Sequence, residues 1–402
     1  MAGVKWYAEG VFHRETVLGK EMSAKFVTPL VPGALIYNRL FAWKESFAVV
    51  QPEHAGLCVS SEFPQFLPDM VRVMPEFLYL FCTRPKTIEM VNAASAGSAA
   101  VSRNRFKEEE FLKLEMPLPP LAEQRAIVEQ WHSAHAQIAA ADGRVEKIAE
   151  SAKQEFLKAL GIKLETKGQR PKCFAIGLGN LDRWSVEYLT RKLLGIAEAQ
   201  TGKYPTKTLR ELCVGISGCT PSTKEPRFWN GNIQWVSPKD MKTEIVTDTI
   251  DHLTAAAIVE SGVPAVPARS VLIVMRSGIL QRTVPVALLA REATINQDMR
   301  AFHVKDDAVI LPEFLAVHLQ HRVEDLLKLV KWSTTVQSMN TDELANFPVP
   351  LPPLEVQRKL VERVTAARAE IARERAAAAA LRQTIATEVE SLILGTKLLK
   401  PA

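Results

Sequence analysis

The sequence predicts a mixed α/β (α+β) protein made of two globular domains, each followed by one long helix. Three observations carry that prediction. The stretch "LPPLAEQRAIVEQWHSAHAQI" begins at Leu118 and is answered by "LPPLEVQRKLVERVTAARAEI" from Leu351. Each copy sets a proline pair ahead of a long run that no proline interrupts, which is a helix start written twice. Upstream of both, short β-rich runs broken by Pro, Gly and Asn lead into "PEFLYLFCTRP" from Pro75 and "PEFLAVHLQHR" from Pro312, while "LIYNR" from Leu35 is answered by "LIVMR" from Leu272.

In chain order, residues 1–116 form the first globular domain, with "ALIYNRL" and "SFAVV" as strands. Residues 117–162 form the first long helix. Its apolar or small positions, Ile127, Trp131, Ala134, Ile138, Ala141, Val145, Ile148, Ala152, Phe156 and Ala159, fall in steps of mostly four and three, a coiled-coil seam. Residues 163–204, with "KGQRPK" and "GLGN", read as a linker that also holds the helical stretch "LDRWSVEYLTRKLLGIAEAQ". The second globular domain takes residues 205–348, with "SVLIVMRSG" and "VPVALLA" as strands, and the second long helix takes 349–397. That helix repeats the seam at Leu360, Val364, Ala367, Ile371, Glu374, Ala378, Leu381, Ile385, Val389 and Leu392, with Glu374 the one polar exception. Each helix is about 40 residues and so about 60 Å long, suited to a spacer. Matched seams imply that the two pair as a coiled coil.

With 402 residues and 47% hydrophobic content the chain can bury real cores in two or three domains. Fifty Lys+Arg against 45 Asp+Glu give +5, which permits a polyanionic partner without requiring one. The five cysteines (Cys58, Cys82, Cys173, Cys213, Cys219) form no Cys-x-x-Cys pair, so a soluble protein of the reducing cytoplasm is expected, with no metal site. No apolar signal core or membrane-length run is present. Enzyme signatures are lacking: "GLGN" has no strand and helix around it, "AQTGKY" lacks the first glycine of a phosphate loop, and no metal-ligating histidine pair, Gly-x-Ser-x-Gly elbow or Asp/Asn-Pro-Pro-aromatic stretch occurs.

The globular halves do interleave cations, aromatics and amides in Gly/Ser-rich loops. Arg and Lys reach guanine edges and phosphates, and Asn and Gln pair with adenine, so these are the groups that direct readout of a duplex needs. The candidates are Arg39, Trp43, Lys44, Arg103, Asn104 and Arg105 in the first half, and Lys224, Lys239, Arg276, Gln297, Gln337 and Asn340 in the second. Any one of them alone reads more simply as a solvated charge or loop hydrogen bond; their clustering in both halves carries the case.

These stretches resemble the specificity subunits of type I restriction-modification systems. "LPPLAEQRAIV" and "LPPLEVQRKLV" are similar to the family's helix-start motif, "IQWVSPKDM" to a segment of many of its target recognition domains, and "VKWYAEGVFHRETVLGKE", "IYNRLFAWKESFAVV" and "CVSSEFPQF" to another type of such domain. The resemblance covers nearly the whole chain. It implies two target recognition domains separated by two long antiparallel coiled-coil helices in a pseudo-twofold repeat, forming a non-catalytic reader in which each domain binds half of a bipartite sequence in double-stranded DNA. It further implies two modification (methyltransferase) subunits that methylate adenine with S-adenosylmethionine, restriction subunits (endonuclease/translocase) that use ATP and Mg, and no cofactor bound by this chain. The family usually carries several tens of residues ahead of "VKWYAEG", so a short first domain is expected. Other readings are a coiled-coil scaffold without sequence-specific binding, a fused methyltransferase, and the reader of a related methyltransferase-based defence system.

Overall fold

The structure, a computed structural model, describes residues 1–21, 26–95, 105–162, 177, 202–333 and 336–398. Arg103, Asn104, Thr335, Cys173 and nearly all of the 163–204 linker lie outside the described residues. The protein is mixed α+β with two helices of about 40 residues, Leu121–Ala159 and Leu354–Ile393. It divides into two compact units, Met1–Val145 with Arg373–Ala402, and Glu146–Ala372. Each long helix therefore contributes one part to each unit. Among the described residues no helix is long and apolar enough to cross a membrane.

In unit 1, strands β1 (Ala2–Val4) and β2 (Val11–His13) form a hairpin, β3 (Val27–Pro29) pairs with β6 (Cys58–Ser60), and β4 (Leu35–Tyr37) lies between β5 (Phe47–Val49) and β7 (Gln65–Phe66), all antiparallel. The middle strand of three is buried along its length, as the continuous apolar run "LIY" demands. Helix α1 (Pro75–Cys82) covers the sheet and is followed by α2 (Pro85–Ala94), α3 (Glu108–Phe111) and the long α4 (Leu121–Ala159). Proline at the first position of α1 and α2 fits there because that N–H has no helical acceptor.

Unit 2 starts with β8 (Thr206–Thr208) and α5 (Leu209–Leu212), where Thr208 and Glu211 form a capping box. Its main sheet has the order β11 (Ile245–Val246), β14 (Val286–Leu289), β13 (Val271–Val274), β16 (Met299–Val304), β9 (Cys213–Ser217). A second sheet sets β10 (Trp229–Val236) between β12 (Asp251–Leu253) and β15 (Thr294–Ile295), with α6 (Ala255–Ser261) beside it. Central β13 is again fully buried, and α7 (Pro312–His321) packs on β13 and β14. After α8 (Val323–Leu327), β17 (Val330–Lys331) and β18 (Ser338–Met339) form a ribbon, and α9 (Thr341–Ala345) leads to β19 (Pro348–Pro350), which pairs with β8 ahead of the long α10 (Leu354–Ile393).

Within unit 1 the two long helices run antiparallel: Asp142 of α4 pairs with Arg382 at 2.6 Å, while Arg144, further along, pairs with the earlier Glu374 at 2.8 Å. Ile127, Val128 and Ala134 share a core there with Ile385, Val389 and Leu392. Of the seam positions, Ile127, Ile138, Val145, Leu360, Val364 and Ile385 are buried, and Trp131, Ile148, Ile371 and Leu381 partly so. Glu374 interrupts the seam because Arg144 neutralises it.

Candidate nucleic-acid interface

The repeated motif carries one side chain whose work is the same in both units. Gln124, fully buried, accepts a hydrogen bond from the Met74 N–H at 2.9 Å and donates to the carbonyls of Arg72 and Pro119, both at 2.8 Å. Gln357, equally buried, accepts from the Leu311 N–H at 2.9 Å and donates to Val309 and Pro352 at 3.1 and 2.9 Å. Met74 and Leu311 are the residues just before the "PEFL" helices. A primary amide, with two donors on one nitrogen and an acceptor beside it, suits this task. The start of each long helix is thus fastened to the helix that covers each sheet. In the sequence the only signal for this role is that the glutamine recurs at the same place in both copies of the motif.

In unit 2, four loops meet at one end of the main sheet. Gly218, at the end of β9, lies so close to the 295–298 loop that a Cβ would fall 1.9 Å from the Asn296 carbonyl oxygen, so only glycine fits. The Cys219 N–H donates to Ile295 and the Asn296 N–H to Val236, joining the first loop and the "SPKD" turn to the same segment. Asp240 accepts from the Ser237 N–H and hydroxyl and from the Ile250 N–H at 2.8–2.9 Å, which locks the turn and leaves Lys239 projecting. Trp229 and Trp235 meet edge to face at 5.1 Å, and their indoles donate to the Ser222 and Cys219 carbonyls, so both hold the 219–222 loop in place.

Arg276, beyond β13, pairs with Asp298 at 2.7 Å, and exposed Gln297 is joined through its side-chain oxygen to the Thr220 hydroxyl. Lys224, Lys239 and Lys242 are exposed and form no ion pair among the described residues. Two candidates are occupied with the scaffold. Gln337 is buried, accepts from Gln281 and donates to the Ser333 carbonyl. The Asn340 side chain caps α9 through the N–H groups of Asp342 and Glu343. Their part is to fix the loops around Arg276, whose neighbour Ser277 donates to the Gln337 carbonyl.

In unit 1, Arg39 follows β4 as Arg276 follows β13, and it too is held by an acid, Glu108. Arg105 pairs with Glu62 at 2.7 Å, and the Arg39 N–H donates to the Glu62 carbonyl, so both arginines sit in one alternating cluster. Trp43 donates its indole N–H to Leu40 and is half-buried. Among the described residues Lys44 has no carboxylate partner; its ammonium lies 3.9 Å from the centre of the Trp6 ring and 5.0 Å from that of Trp43.

The model of the type I restriction modification DNA specificity domain matches residues 191–381. The specificity subunit of the EcoR124I/EcoR124II type I restriction enzyme of Escherichia coli is 35% identical over 185 residues, 46% of this chain and 45% of that protein. The MjaIX specificity subunit of Methanocaldococcus jannaschii is 26% identical over 186 residues, 44% of this chain and 40% of that protein. The chain thus spans less than half the length of these curated relatives. A solved structure from a study of complex assembly and conformational transition of the type I R-M system superposes with a TM-score of 0.53 at 17% identity, covering 94% of this chain and 85% of that one. At that identity the likeness is one of fold. The matched stretch takes in the loops that carry Lys224, Lys239, Arg276, Gln297, Gln337 and Asn340, and most of α10.

Proposed function

We propose that this chain is the non-catalytic specificity subunit of a type I restriction-modification complex. Each unit presents a loop edge to double-stranded DNA and reads half of a bipartite target, and the long helices set the spacing between the halves. Two modification subunits docked on the chain methylate adenine with S-adenosylmethionine, and restriction subunits, where present, use ATP and Mg for translocation and cleavage; the cofactors belong to those partners. The observation that carries this reading is the repeated unit itself, a mixed α+β domain fastened by a buried glutamine to a long helix and written twice, with a DNA specificity domain matching the second copy. Exposed Lys224, Lys239 and Lys242 supply phosphate contacts, whereas Arg276 and Gln297 reach base edges. Methylated adenines mapped across the genome with and without this gene test the reading. A two-part motif that loses methylation on deletion is expected, and an unchanged methylation pattern would refute it.

A further inference from the structure

The tip of the β1–β2 hairpin is built around an unusual backbone. Tyr7 and Ala8 are consecutive non-glycine residues in the left-handed region, with φ of 54° and 59°. Three hydrogen bonds impose this: Tyr7 N–H to Lys44 O at 2.8 Å, Ala8 N–H to Glu45 O at 2.9 Å, and the Tyr79 hydroxyl to Ala8 O at 3.0 Å. Tyr79 is itself braced edge to face against Trp131 of α4 at 6.0 Å. The effect is display. Tyr7 is 64% exposed and Trp6 41%, and Trp6 leans on Phe41 at 4.9 Å while carrying Lys44 over its ring.

The Tyr7 ring stands exposed on an over-determined turn whose neighbouring Trp6 carries the Lys44 ammonium, which has no carboxylate partner among the described residues; Arg39 and Arg105, by contrast, have their charge taken up by Glu108 and Glu62. A π-face next to a free ammonium complements a base step with its adjoining phosphate. Resting on the DNA-reading function above, we propose that the Trp6–Tyr7 tip and Lys44 form a duplex-contacting wedge of unit 1, with the Tyr7 ring against a base step and Lys44 on the neighbouring phosphate.

The test uses the purified full chain and a fluorescently labelled pool of mixed-sequence duplexes, titrated by anisotropy over a salt series. Tyr7→Gly suits the left-handed turn, so it removes the ring while preserving the fold; it is expected to weaken binding about 5- to 100-fold, whereas Tyr7→Phe retains parental affinity. Lys44→Gln is expected to lower the slope of log K against log salt by about 1. If Tyr7→Gly and Lys44→Gln both bind as the parent does, the wedge is overturned and the DNA reading stands. If the parent binds no duplex, both fall.

Discussion

Unit 2 buries His318 beneath the Pro348 carbonyl, and unit 1 places Phe81 at the same step of its "PEFL" helix. One turn on, His321 of unit 2 is answered by Arg84, whose guanidinium lies 4.4 Å from the centre of the Phe81 ring. Those cores differ in chemistry while keeping one backbone plan. The glutamines do the reverse: Gln124 and Gln357 keep identity, burial and even the kinds of partner, because they bond to backbone groups that every sequence supplies. The repeat is therefore held by main-chain hydrogen bonding and is free to vary in side-chain packing and loop charge. That freedom suits the proposed reading of two different half-sites.

The comparison breaks most sharply at the glutamines. Gln124→Leu and Gln357→Leu each leave a part-buried N–H and two carbonyls without their partner, and each is expected to cost about 2–4 kcal/mol in urea unfolding. A near-neutral result in one unit alone would end the equivalence. The histidines sharpen the contrast next. Burial first, then the nearby Arg322 charge, pushes His318 from 6.5 down to about 3. Between those values the unfolded chain takes up the proton and the folded chain does not, so stability is full above about pH 6.5 and falls as the pH drops. The slope is at most about 1.4 kcal/mol per pH unit for this one group. His318→Phe, copying unit 1, should flatten the fall in melting temperature on acidification; His321, pushed down to about 4 mainly by burial, leaves a residual slope.

Smaller effects lie in the long helices. A Cβ on Gly143 would meet nothing within 4 Å, so Gly143→Ala should stabilise α4 by about 1 kcal/mol through helix propensity alone, read as a raised melting temperature. Glu374 occupies the seam position that Ala141 holds in the first copy. Its pair with Arg144 is partly exposed, with side chains 27% and 54% accessible, and Glu374→Ala should cost under about 1 kcal/mol in the same assay.

Much of the fold was legible because it is periodic. The two seams, the proline pairs and the "LIYNR"/"LIVMR" strands depend on spacing and local propensity, and they form as read. The candidate interface was legible only as composition. Arg39 and Arg276 are equivalent to Lys44 and Lys239 as residue types along the chain, yet Glu108 and Asp298 hold the arginines, whereas the lysines have no carboxylate partner among the described residues. Gln337 and Asn340 looked like base readers and are taken up by a loop contact and a helix cap.

By itself the sequence determined that a globular domain and a long helix occur twice, since periodicity and helix starts are properties of neighbouring residues. Tertiary structure alone decided which cations pair with a carboxylate, which amides are spent inside, and that Trp6 and Tyr7 stand exposed on a strained turn. Those outcomes depend on hydrogen bonds and ion pairs between segments tens of residues apart, such as Gln124 with Met74, Arg39 with Glu108 and Tyr79 with Ala8. Whether a polar group is satisfied is set by what folds against it.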